Sequence, residues 1–126
     1  MLIVDAQVHV WGPDTPADPI VSEPHRAIPI SVDDLLREMD AAGVQRAVLV
    51  PPTWQGGFRN ELALEGAHRH PDRLAVMGRI DLNAPDVRER LANWRSQPGM
   101  MGVRVSRRQH IADDGSMNAM LAAAQA

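Results

Sequence analysis

Apolar and polar positions along the 126-residue chain fall into repeated pairs of a short β-type run and a helix-type stripe. The first run, Ile3-Val4-Asp5-Ala6-Gln7-Val8-His9-Val10-Trp11, has a period of two. Val4, Ala6, Val8 and Val10 share one face, and Ile3, Asp5, Gln7 and His9 share the other. The apolar face predicts packing on helices. The face carrying carboxylate, amide and imidazole predicts a polar cavity, because buried polar groups without partners are costly.

Ser31 precedes Val32, Leu35, Leu36 and Met39, a spacing that predicts an N-capped amphipathic helix. Asp33 and Asp34 fall in its first turn, where the helix dipole favours acids, and Gly43 marks its end. Arg46 to Val50 is a second strand, stopped by Pro51-Pro52. Asn60 is expected to cap a second helix through Arg69, which Pro71 terminates. Leu74 to Ile80 reads as a third strand. Pro85 suits the first turn of the next helix, whose stripe is Val87, Leu91 and Trp94. Met101 to Ser106 is a fourth strand. Asp114-Gly115-Ser116 then turns into a last helix with Met117, Met120, Leu121 and Ala124 on one side.

Strands alternating with helices imply an α/β fold, with a parallel sheet in order 1-2-3-4 and right-handed crossovers. Sites in such folds lie at the C-terminal strand ends, where His9, Trp54, Asp81 and Ser106 fall. Residues 12–30 form a Pro-rich loop, with prolines at 13, 16, 19, 24 and 29. It reads either as a solvated loop or as a lid over the strand ends that carries His25. Trp54 either lines a pocket or packs on its rim. If Val103 and Val105 face the helices, Arg104 projects to the opposite side. There it would meet a substrate carboxylate, or else an internal acid such as Asp5 or Asp81. Arg79 lies inward by the same alternation, or snorkels at the strand end. His68 and His70 sit two apart at a helix end, face different sides, and make no metal pair.

Composition removes several classes of function. The chain has no cysteine, which excludes disulfides, thiolate catalysis and cysteine zinc sites. A net charge of −3 without a basic stripe argues against nucleic acid. No apolar run approaches a membrane span, and the start lacks a signal-like pattern, so the expected location is the cytoplasm. A small molecule is the expected partner.

The run Asp5-Ala6-Gln7-Val8-His9-Val10-Trp11 resembles the opening of the amidohydrolase superfamily, in its amidohydrolase-related branch. Three later runs are similar to successive units of the same branch: Ala42 to Trp54, His70 to Asp81 and Pro98 to Val105. The resemblance implies the first half of a TIM (β/α)8 barrel, in one partial domain over residues 1–126. Such barrels typically need about 250 residues. It also implies a hydrolase or related decarboxylase acting on a small carboxylated or cyclic substrate. In the family two histidines of a D-x-H-x-H pattern hold a divalent metal. His9 matches the second, and Gln7 stands where the first would be, so zinc or manganese is expected to bind weakly or not at all.

The candidate set is then His9 and Asp5 as catalytic residues, with His9 also the metal ligand. Gln7, His25, Trp54 and Arg104 are the substrate-binding candidates. The family's later histidines and its aspartate belong to strands not found in this sequence, and the chain alone is expected to be inactive. Two other readings remain: a non-catalytic half-barrel remnant or binding module, and a complete flavodoxin-like sheet. Pro13, Pro16 and Pro19 occupy the place of the Gly-rich phosphate loop that the second would need. A half barrel leaves both outer strands open, so a homo-oligomer is expected, two copies closing one sheet.

Overall fold

The computed structural model describes residues 1–105, together with residues 118 and 122. Ser106 and the expected last helix, with Met117, Met120, Leu121 and Ala124, lie outside the described residues. Among the described residues four strands are present, β1 (Val4–Val8), β2 (Arg46–Leu49), β3 (Leu74–Arg79) and β4 (Met100–Arg104). They pair in parallel in the order β1-β2-β3-β4. Helices α1 (Val32–Ala42), α2 (Glu61–Arg69) and α3 (Val87–Ala92) connect them, α3 continuing into a 3-10 turn at Trp94–Ser96. This is the expected strand order, and it makes one wall of a β/α barrel.

Helix α1 forms where its sequence signals place it. The Ser31 hydroxyl accepts the Asp34 backbone N–H at 3.1 Å, and the Asp34 carboxylate accepts the Ser31 backbone N–H at 3.1 Å. That reciprocal pair satisfies two N–H groups the first turn leaves free. Gly43 ends the helix with φ +71°, a left-handed conformation that costs glycine little. Val32, Leu35 and Met39 are buried.

The face of β3 that packs on helices carries Leu74, Val76 and Gly78, all buried, while Ala75, Met77 and Arg79 on the opposite face are half-buried. Gly78 is where Trp94 of the 3-10 turn and Met100 of β4 crowd the β3 backbone. A Cβ built there would lie 2.7 Å from both Met100 Cε and Trp94 Cζ2. Trp94 itself is buried, as its stripe implied, and its indole donates to the Gly102 carbonyl at 2.9 Å.

Three expectations change on folding. First, β1 does not keep strict alternation. Asp5 pairs beside Ala47 and Val8 beside Leu49, so three steps along β1 match two along β2. Ladder partners in a parallel pair share a face, so the bulge puts Asp5 on the side of Ala47, away from the barrel interior. By the same register Val4 lies beside Arg46 on the opposite side, where it is 49% exposed. Second, Asn60 precedes α2 without a side-chain cap. Its amide instead accepts the Arg79 N–H at 2.7 Å and donates to the Arg79 carbonyl at 2.9 Å, prolonging the β3 ladder by a side chain. Third, Pro85 lies in the turn before α3 rather than in its first turn.

Candidate functional site at the C-terminal strand ends

Strand β1 runs from open solvent into enclosure within a few residues. Val10 and Trp11 are buried and His9 is half-buried. The cover comes from the Pro-rich segment, which is a stitched strap. The Trp11 N–H donates to the Ile30 carbonyl at 3.1 Å, Val21 N–H to Trp54 O at 2.7 Å and Gly56 N–H to Pro19 O at 2.8 Å. Arg59 reaches the Ala17 carbonyl at 2.7 Å, and Gln55 donates to the Asp18 carboxylate at 3.0 Å. Arg26 clasps Glu38 of α1 through two N–H donors at 2.7 and 3.0 Å. Backbone groups that lack a regular ladder are thus satisfied by one another and by the β2 exit loop, while side chains tie the strap to α1.

The strap brings His25 beside His9. Their ring centroids are 5.8 Å apart, and Trp54 sits edge-on to His9 at 4.9 Å and 4.5 Å from His25. Trp11 packs against Trp54 at 5.4 Å. Trp54 is buried, so it fills the gap between strap and strand as well as bordering the cavity. His9 Nδ1 lies 2.6 Å from the Val50 carbonyl. A carbonyl only accepts, so Nδ1 carries the proton and Nε2 keeps its lone pair. Burial lowers the His9 pKa from its ordinary value. The Val50 hydrogen bond opposes that shift, and nearby His25 and Arg104 add to it. The neutral imidazole is the favoured form.

A cavity of about 330 Å³ runs along the β1 edge and is bordered by Asp5, Gln7, His9, His25 and Trp54, five of the six sequence candidates. Asp5 and Gln7 are exposed, and the Asp5 carboxylate accepts the Gln7 backbone N–H at 3.0 Å, a local turn bond. Arg104 does not border that cavity. It lies on the half-open face of β4, directly beside Arg79 of β3. The internal ion pair with Asp5 or Asp81 is not formed: among the described residues no carboxylate lies within salt-bridge distance of Arg104. His68 is exposed and bonds the Pro98 carbonyl at 2.7 Å, just before the start of β4.

Two residues gain roles that sequence reading missed. Asn60 holds the backbone of Arg79, and Arg79 donates to the Pro52 carbonyl at 2.6 Å while its guanidinium stands 5.1 Å over the Phe58 ring. The signal available in advance was the shared inward alternation of Arg79 and Arg104.

The family model described as amidohydrolase matches residues 4–125. The chain belongs to the amidohydrolase family. No curated protein matches it in sequence. Among solved structures, this amidohydrolase chain is similar to a "probable 2-pyrone-4,6-dicarboxylic acid hydrolase" of Acinetobacter baumannii with citric acid bound. The two share 21% identity at a TM-score of 0.73, covering 99% of this chain and 46% of that one. The likeness establishes the barrel-type fold, of which this chain spans about half the neighbour's length.

An amidohydrolase barrel implies a divalent metal, and the donors present can be tested against it. Gln7 offers a carboxamide oxygen, a weak donor to zinc, in place of an imidazole. Among the described residues no group of three or more His, Asp or Glu side chains is arranged to hold a metal ion. A catalytic zinc takes three protein ligands, so the described donor set does not fit one. Also among the described residues, no helix is long and apolar enough to cross a membrane.

Proposed function

We propose that the chain carries the β1–β4 wall of a hydrolase site for a small carboxylated or cyclic substrate, with His9 as its general acid–base. The observation that carries this reading is the His9–Val50 hydrogen bond. It fixes the tautomer, so that Nε2 can accept a proton from a water attacking a carbonyl and return it to the leaving group. Burial supports the same role by keeping the ring neutral at the start of the cycle. Arg104 would hold a substrate carboxylate, which suits the planar fork of a guanidinium. The solved neighbour, named for a cyclic dicarboxylic acid, is in keeping with that class. No step is assigned to a metal.

A panel of lactones, esters and amides bearing carboxylates, tested with a chain that contains the remaining strands of the barrel, decides the matter. His9→Ala should lower kcat by about two orders of magnitude or more while leaving the fold intact by circular dichroism. Unchanged turnover would remove His9 from the mechanism. A binding module without catalysis is the second reading, favoured by Gln7 at a ligand position. Saturable substrate binding without turnover in wild type would establish it.

A further inference from the structure

We propose that Arg79 and Arg104 form a paired anion site that takes a dianion, either the two carboxylates of one small molecule or a single phosphate group. The inference deepens the hydrolase reading by naming the charge of its substrate, and it rests on that reading only for calling the ligand a substrate.

The pairing follows from register. Arg79 and Arg104 are ladder partners at the C-terminal ends of β3 and β4. Their backbones therefore lie about 4.8 Å apart, with both side chains on one face. Their neighbours one step back, Gly78 and Val103, are partners on the helix-covered face. Like charges directly opposite on adjacent strands repel. Elsewhere Arg26, Arg37, Arg59, Arg69 and Arg73 each meet a carboxylate, and Arg46, Arg88, Arg90 and Arg95, which meet none among the described residues, are exposed rather than half-buried. Arg79 and Arg104 meet none among the described residues.

Arg79 is nonetheless firmly held. Asn60 brackets its backbone from both sides, Pro52 takes one N–H of its guanidinium, and Phe58 lies beneath the charge. None of these contacts neutralises it. Burial and the adjacent Arg104 lower its pKa from the ordinary arginine value, which is the mark of a charge held at a cost. A half-desolvated cation beside a second cation is relieved by an anion that reaches both. Arginine grips a carboxylate or phosphate through two parallel N–H donors, and four of the five donors of Arg79 remain after the Pro52 bond. Two such forks on neighbouring rungs suit two carboxylates joined by a short linker, or one phosphate bridging both. His9 feels the charge of Arg104, so the pair and the imidazole belong to one end of the sheet.

Titration calorimetry at constant ionic strength, with malonate, inorganic phosphate and acetate as probes, tests the pair. In wild type, malonate or phosphate should bind about tenfold or more tighter than acetate, one extra charge-assisted contact corresponding to roughly that factor. Arg79→Gln and Arg104→Gln should each abolish the preference, and Arg79→Lys should keep part of it. Malonate ahead of phosphate assigns a dicarboxylate, and the reverse assigns a phosphate group. If Arg79→Gln does not fold, Arg104→Gln carries the test, since its side chain has no described structural partner. His9→Ala, which stops turnover under the hydrolase reading, should leave malonate affinity within about twofold, as expected of separate contacts. Loss of catalysis and loss of the anion site are thereby read separately. Acetate binding as tightly as both dianions, or a preference that survives in both glutamine variants, would overturn the proposal.

Discussion

Strands β1 and β2 lie side by side and draw on the same aliphatic residues, yet their surroundings are opposite. Leu49 of β2 and Val76 of β3 are fully buried, whereas Val4 of β1 is 49% exposed. The central strands have a ladder on each side and helices across one face. Among the described residues β1 has a ladder on one side only, and that ladder slips by a residue between Asp5 and Val8. Apolar side chains acquire their surroundings from what is packed on them, and an outer strand has less to offer. The same strand becomes enclosed at its far end, where the strap closes over Val10 and Trp11. His9 sits at the boundary between the two regimes. Under the proposed function a general base benefits from that place, where burial favours the neutral ring.

Substitutions can break this contrast, the largest effect coming from the centre. Leu49→Ala removes a side chain with no exposed surface and should cost about 2–5 kcal/mol in chemical denaturation. A cost under about 0.5 kcal/mol for Val4→Ala would complete the comparison, since a half-exposed outer-strand residue has little packing to lose. Equal losses at the two positions would show that β1 is covered in solution.

Gly78→Val sharpens the same point from the helix side. The new side chain would meet Trp94 and Met100 within 2.7 Å of its Cβ, and overpacking of this kind costs about 1–3 kcal/mol. A smaller loss, about 1 kcal/mol, is expected for Ser31→Ala, read by thermal unfolding, because the α1 cap then loses its side-chain acceptor. A cap contributing nothing would leave the melting temperature unchanged.

The mildest effect should be the pH dependence at the boundary residue. The folded-state pKa of His9 lies below the ordinary 6.5, so the unfolded chain binds its proton first as pH falls. The stability contributed by the neutral ring is present above pH 6.5 and is lost as pH falls through the lower, folded-state value. His9→Gln should flatten that part of the stability profile. A profile identical to wild type between pH 7 and 5 would show that His9 is solvated like a free imidazole.

Much of this architecture is legible along the chain because local rules and tertiary packing agree. The Ser31–Asp34 cap, the Gly43 stop, the Val32, Leu35 and Met39 stripe, and Val87, Leu91 and Trp94 are each set by residues within a few turns of one another. The strand order follows from alternation of strands with helices, since short crossovers place successive strands side by side. His9 was also legible as a polar residue ending an apolar strand, and the D-x-x-x-H run carried the family with it.

Contacts between distant residues were settled only by folding. The bulge that puts Asp5 on the Ala47 side of the sheet depends on how β1 meets β2, which no period-two reading of β1 alone contains. Asn60 could serve a helix cap or a strand end, and the proximity of Arg79 decided for the strand. His25 reached His9 because the strap is sewn to the β2 exit loop and to Glu38, through hydrogen bonds spanning many residues. Arg79 and Arg104 were each readable as inward-facing, but their adjacency is a property of the β3–β4 register. The amino-acid sequence by itself thus determined the elements, their order and the place of His9. Which charges and rings face one another was decided by the tertiary structure, because register and loop closure are set by the whole sheet and not by any one strand.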